Sequence, residues 1–242
     1  MAITRLVNDT VVSNATAGTR TVVRPPDIET NDVMVAHVTN SGGTAIASWT
    51  IPSGWVTVAD CSTSANPRAA VFYKIATASE PADYSWSGFG ASGGGSINVG
   101  GWRGVDLGTT IDVTGTVVTG STQPFSLTGV TTVTANAMLI ASIFENSSST
   151  TGITAPSESP AWDYAWQHNI QRINVLAFVL KATAGATGNK AFTDNKGSLT
   201  RIGLLWALRP AAGATVAEMQ AAQQQQPGWP FPRRPRVTVY AA

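Results

Sequence analysis

The chain has 242 residues, of which 43% are hydrophobic and 12% charged, with a formal charge of +1. That is enough apolar mass for a core in one large all-β domain or two small domains, and too little net charge to draw the whole molecule toward nucleic acid or an anionic membrane. A single cysteine, Cys61, excludes an intrachain disulfide framework and a cysteine-rich zinc site.

In chain order, the opening "MAITRLVNDTVV" has no basic stretch leading into an apolar run, and no later segment approaches the roughly 18 apolar residues of a membrane span. The expectation is a soluble product of the cytoplasm, without membrane insertion. "DVMVAHV" places Val33, Val35 and His37 on one side of a strand and Met34, Ala36 and Val38 on the other, so most of both faces are apolar. "IPSGW" reads as a tight turn in which Gly54 takes a positive φ before Trp55 re-enters a strand. "RAAVFYKIAT", "SINVGGWRGV", "TTIDVTGTVV", "AMLIASIFE", "INVLAFVLKA" and "LTRIGLLWAL" follow, each rich in β-branched or aromatic residues. "NSGG", "TSANP", "ASGGG" and "TDNKG" punctuate them as turns. Strands without intervening helices bury a face against another sheet, which predicts an all-β, antiparallel, jelly-roll-like β-sandwich over residues 1–210. Trp55, Trp86 and Trp102 are expected to close the ends of its core.

One stretch reads as helix. "GATVAEMQAAQQQ" offers Thr215 as N-cap with Glu218 at the capping-box spacing and stops at Pro227 and Gly228, giving a short helix or linker over 211–226. Beyond it, 227–242 is a Pro/Arg-rich segment. Pro227, Pro230, Pro232 and Pro235 favour an extended arm, with Trp229 and Phe231 as anchors, Arg233 and Arg234 beside them, and Val237 and Val239 alternating as in a strand that adds to a sheet edge. A disordered tail is the plainer alternative. Three arginines make too few phosphate contacts for strong nucleic-acid binding at physiological salt.

The run "DVMVAHVT", "IPSGWVTVAD", "AAVFYKIATASEPADYSWS" and "INVGGWRGVDLGTTIDVTG" resembles the β-rich module of tailed-phage virion proteins, often minor tail or head-surface proteins. The likeness covers residues 1–210. It implies a β-sandwich displayed on a particle, with host-surface or glycan contact for some members, and it carries no catalytic motif to transfer.

Enzymatic signatures are weak. "GFGASG" matches a dinucleotide fingerprint through Gly88, Gly90 and Gly93, but a strand pattern follows where the chemistry needs a helix. His37 and His168 have no second ligand at metal-site spacing, and Arg103 with Asp106 in "WRGVD" reads as a local ion pair over a turn. No catalytic, cofactor or metal residue is assigned. For binding, "WDYAWQH" places Trp162, Tyr164 and Trp166 on one face of an extended strand. Facing outward, the rings would form a glycan platform; facing inward they are core or a subunit interface, which the avoidance of exposed apolar patches favours. The sequence therefore predicts a non-enzymatic virion protein, localised to the particle after synthesis in the host cytoplasm. Its expected partners are other virion subunits, engaged through the C-terminal arm, and copies of itself in a homo-oligomer. The alternative is a carbohydrate-binding host-attachment module.

Overall fold

A computed structural model describes residues 2–14, 18–40, 48–62, 67–89, 94–145, 153–168, 173–196 and 198–213. The segment that carries the expected helix and arm, including Trp229, Phe231, Arg233, Arg234, Val237 and Val239, lies outside the described residues, as do Gly90 and Gly93 of "GFGASG". The described chain is all-β and antiparallel, with no α-helix. Met1–Ala211 forms one unit.

The first half holds β1 (Thr4–Arg5), β2 (Thr10–Asn14), β3 (Gly18–Val23), β4 (Val33–Asn40), β5 (Val56–Asp60), β6 (Arg68–Ile75), β7 (Asp83–Phe89) and β8 (Gly95–Arg103). Its large sheet runs β8-β4-β6-β5, with β1 and β2 both paired along the outer side of β8, and β3 with β7 makes a small second sheet. The second half holds β9 (Ile111–Thr114), β10 (Val118–Gly120), β11 (Phe125–Leu127), β12 (Thr131–Thr132), β13 (Ala137–Glu145), β14 (Ile153–Thr154), β15 (Asp163–His168), β16 (Ile173–Lys181), β17 (Gly185–Ala186), β18 (Lys190–Asp194) and β19 (Arg201–Leu208). Its large sheet runs β19-β13-β16-β15, with β9 and β10 both paired along the outer side of β19. A small sheet β11-β18-β14 lies over it, and β12 pairs β17.

The two halves thus repeat one plan. In each, the long apolar strand (β4, β13) sits at the centre and the following long strand (β6, β16) pairs on one side. The last strand of the half (β8, β19) pairs on the other. The entrances also match: Asn31 and Asn136, both at positive φ, precede the central strands. Each donates its backbone N–H to an alanine carbonyl just past the neighbouring strand, Ala76 at 2.9 Å and Ala182 at 3.2 Å.

Three apolar layers follow from this arrangement. Met34, Ala36 and Val38 of β4 pack with Phe72, Ile97, Tyr84 and Trp86 between the two sheets of the first half. Leu139, Ala141 and Ile143 of β13 pack with Val175, Val179, Phe125 and Phe192 in the second half. The third layer lies between the two large sheets, where Val33, Val35, Val71 and Trp102 meet Ile140, Phe144, Leu176 and Trp206. The single two-layer sandwich expected from the sequence is therefore two sandwiches packed large sheet to large sheet. This is why β4 and β13 are buried at every residue: a central strand with a sheet on each side has no solvent face. Trp55 and Trp86 close the first sandwich, 5.2 Å apart, whereas Trp102 belongs to the seam.

Candidate functional site

The seam between the halves carries buried polar chemistry. His37 projects from β4 into it and is wholly buried against Phe144 and Trp166, with ring centroids 4.9 and 5.1 Å away. Burial lowers its pKa from 6.5 to about 3, so the ring is neutral. Trp206 Nε1 donates to Ser142 Oγ at 2.8 Å, which leaves the Ser142 hydroxyl to donate to His37 Nε2 at 2.8 Å. His37 Nδ1 then donates to Asn174 Oδ1 at 3.1 Å, and the Asn174 amide donates to Ser96 Oγ at 3.2 Å. Thr39 completes the chain at 3.1 Å from Ser96 Oγ. Five strands drawn from both halves share this one network. A satisfied buried network fixes the register of the elements that carry it, so His37 is a structural histidine that locks one half to the other.

Around it the sequence-predicted residues disperse. The ladder between β15 and β16 is irregular between Tyr164 and Trp166, leaving Ala165 outside the pairing. An extra residue reverses the side on which the following side chains emerge. Trp162 and half-buried Tyr164 therefore turn into the second sandwich, Trp162 edge-on to Phe192 at 5.5 Å. Trp166 turns into the seam. Trp162 is 8% and Trp166 4% exposed, so the three rings do not share one outward face. The carbonyl of Ala165 is capped instead by Arg5, which donates to it at 2.9 Å and is held by Asp9. Arg103 and Asp106 also part company. Arg103 forms a bidentate pair with Asp32, both contacts at 2.8 Å, while Asp106 accepts from the backbone of Gly108 and Thr109.

A second buried charge centre sits at the end of β13 and β19. The Arg201 guanidinium, fully buried, donates to Glu145 at 3.1 Å and to Asp194 at 2.8 and 3.0 Å, and also to the carbonyls of Ser121, Lys196 and Leu199. Burial, and then Asp194 beside it, push Glu145 up to about 8. Burial acts in the same direction on Asp194, but hydrogen bonds from Arg201 and Glu145 outweigh it and hold that carboxyl below its usual value. The pair thus keeps one proton and one negative charge against one arginine.

The second half also has an open surface feature. A cleft of about 240 Å³ lies over the floor made by Leu139 and Val179, walled by Glu158 and Pro160 ahead of β15, by Lys181 at the end of β16 and by Lys190 at the start of β18. Trp162 Nε1 and Lys190 Nζ each hold one oxygen of Glu158. Lys181 has no acidic partner among the described residues. The first half has its counterpart in Lys74, likewise near the end of the strand beside the centre, with Ile75 standing between it and the same Ala-Thr-Ala that follows Lys181 directly. Lys74 is paired with Glu80 at 3.2 Å and lies under the turn at Gly54, where a Cβ would sit 2.5 Å from its ammonium. Sequence reasoning passed over this lysine pair; the recurring "KIATA" and "KATA" were the available signal.

Comparison with known proteins adds no relative: no protein-family model matches the chain, and no curated protein and no solved structure matches it. Among the described residues no group of three or more histidine, cysteine or acidic side chains is placed to hold a metal ion, and no helix is long and apolar enough to cross a membrane.

Proposed function

We propose that this protein is a non-enzymatic structural component of a tailed-phage virion, displayed on the particle as a minor tail, head-decoration or fibre protein and assembled with its neighbours through the C-terminal segment. The observation that carries the reading is how the chain leaves the β body. Residues 104–112, which join the two halves, also clamp the last described residues. Ala211 donates to the Gly104 carbonyl at 2.9 Å, Asp106 to Arg209 at 2.9 Å and Arg209 to Thr110 at 3.0 Å. Arg209 Nε adds a contact of 3.3 Å to Asp112, whose carboxylate also accepts from Val133 and Thr134. A fixed exit followed by a proline-stiffened, aromatic and arginine-bearing segment suits a tether, because force or order on the segment is delivered to a rigid anchor.

The strand order supports the finer fold reading too. A sheet ordered β2-β8-β4-β6 with β3 paired to β7 is compatible with a jelly-roll winding, and the second half has a matching order. The short helix over 211–226 belongs to the same proposal.

The test is a chain truncated after Gln226. The reading predicts a folded protein that no longer oligomerises or enters particles; normal incorporation of the truncated chain would refute it.

A further inference from the structure

The two halves serve as each other's control, and they differ at the cleft. In the first half the lysine at the end of the second long strand is covered by the Gly54 turn and neutralised by Glu80. Glu80 in turn accepts from Tyr84 at 2.5 Å and from Thr77 at 2.8 Å, leaving nothing to bind. In the second half the acid of the region, Glu158, is committed to Lys190 and to the Trp162 indole. Lys181 is left half-exposed at the mouth of the cleft. The plan of the fold does not require this opening, since the other copy of the plan closes it.

We infer that this cleft binds one sugar ring that carries a carboxylate, as in a uronate residue of an acidic polysaccharide. Two ammonium groups against one carboxylate leave the cleft with a single uncompensated positive charge, which selects a monoanion. Pockets for drug-sized ligands run to about 300–1,000 Å³, so a cleft of about 240 Å³ takes a single ring and not an extended chain. The edge of Val179 and the exposed Leu180 side chain offer the apolar surface against which the C–H face of a ring lies. Lys190 and Trp162 hold Glu158 in place, where its free lone pairs accept from ring hydroxyls. Lys181 is the charge partner of the carboxylate. The inference does not depend on the particle assignment, and either stands if the other fails.

Binding to the full chain is measured by titration calorimetry with three probes: methyl glucuronoside, the neutral methyl glucoside and inorganic phosphate. The glucuronoside is expected to bind about tenfold or more tightly than the glucoside, the ratio one charge-assisted hydrogen bond supplies. Lys181→Gln should erase that preference while Lys74→Gln leaves it intact. Lys181 is half-exposed and unpaired, so its variant folds, which near-UV circular dichroism verifies. Equal affinity for the two glycosides, absence of glucuronoside binding, preference for inorganic phosphate over the glucuronoside, or an equal effect of the two lysine variants would each overturn the assignment.

Discussion

The two halves of the β body share a strand order and differ in where they put charge. The first half spreads its ion pairs: Lys74 with Glu80, and Arg103 with Asp32 and Glu29. The second concentrates them, with Arg201 gathering two acids and three carbonyls at one end and Lys181 left without an acid at the other. The sandwich cores are apolar in both and the seam adds an uncharged polar network to its apolar contacts, so packing and that network hold the plan, while charge distinguishes the copies. A repeated fold frees one copy to carry an opening that would weaken a lone sandwich, because the seam holds both.

That contrast is broken most severely at Arg201. Replacing it with methionine strands Glu145 and Asp194 in the interior and should cost about 3–5 kcal/mol, read as a fall in the denaturant midpoint. Glu145→Gln, by contrast, should be neutral or stabilising at pH 8, since it removes a carboxyl that already resists ionisation.

Next in size is the seam. His37 is neutral in the fold with a pKa near 3, against 6.5 in the unfolded chain. The unfolded state therefore binds the extra proton between those values, and stability, fully present above pH 6.5, is lost as the pH falls toward 3. Between pH 7 and pH 4 the loss is on the order of 3 kcal/mol. His37→Gln should flatten this limb in equilibrium unfolding.

Smaller effects separate the lysines. Lys74→Ala leaves the Glu80 carboxylate, almost wholly buried, without its cation and should cost about 2 kcal/mol, whereas Lys181→Ala should change stability by less than about 0.5 kcal/mol. Gly54→Ala, at φ +83° and against the Lys74 ammonium, should cost about 1 kcal/mol in thermal unfolding.

Strand content was legible from β-branched runs and turn residues, and the antiparallel all-β class with it. The doubling was present but unread. "DVMVAHV" is apolar on both faces, and a two-layer sandwich gives each sheet one solvent face, so a strand without a polar side already demands a third layer. The aromatic face of "WDYAWQH" was not legible, because period-two reasoning holds only while every residue is paired and nothing in Tyr164-Ala165-Trp166 announces the irregularity. The seam network was equally hidden: Ser96, Ser142 and Asn174 look like ordinary polar strand residues until topology brings them to His37. Arg103 found Asp32 and not Asp106 because β4 and β8 are neighbours in the sheet although distant in sequence.

The central claim is that the His37 network and the apolar seam lock two equivalent sandwiches into one cooperative body. Native-state amide hydrogen exchange of β4 and β13 tests it most directly. The central strands of both halves should exchange only through global unfolding, with opening free energies equal to within about 1 kcal/mol. Exchange of one central strand through a separate, clearly cheaper opening, with the other still protected, would mean that the halves are independent and the seam is mere contact.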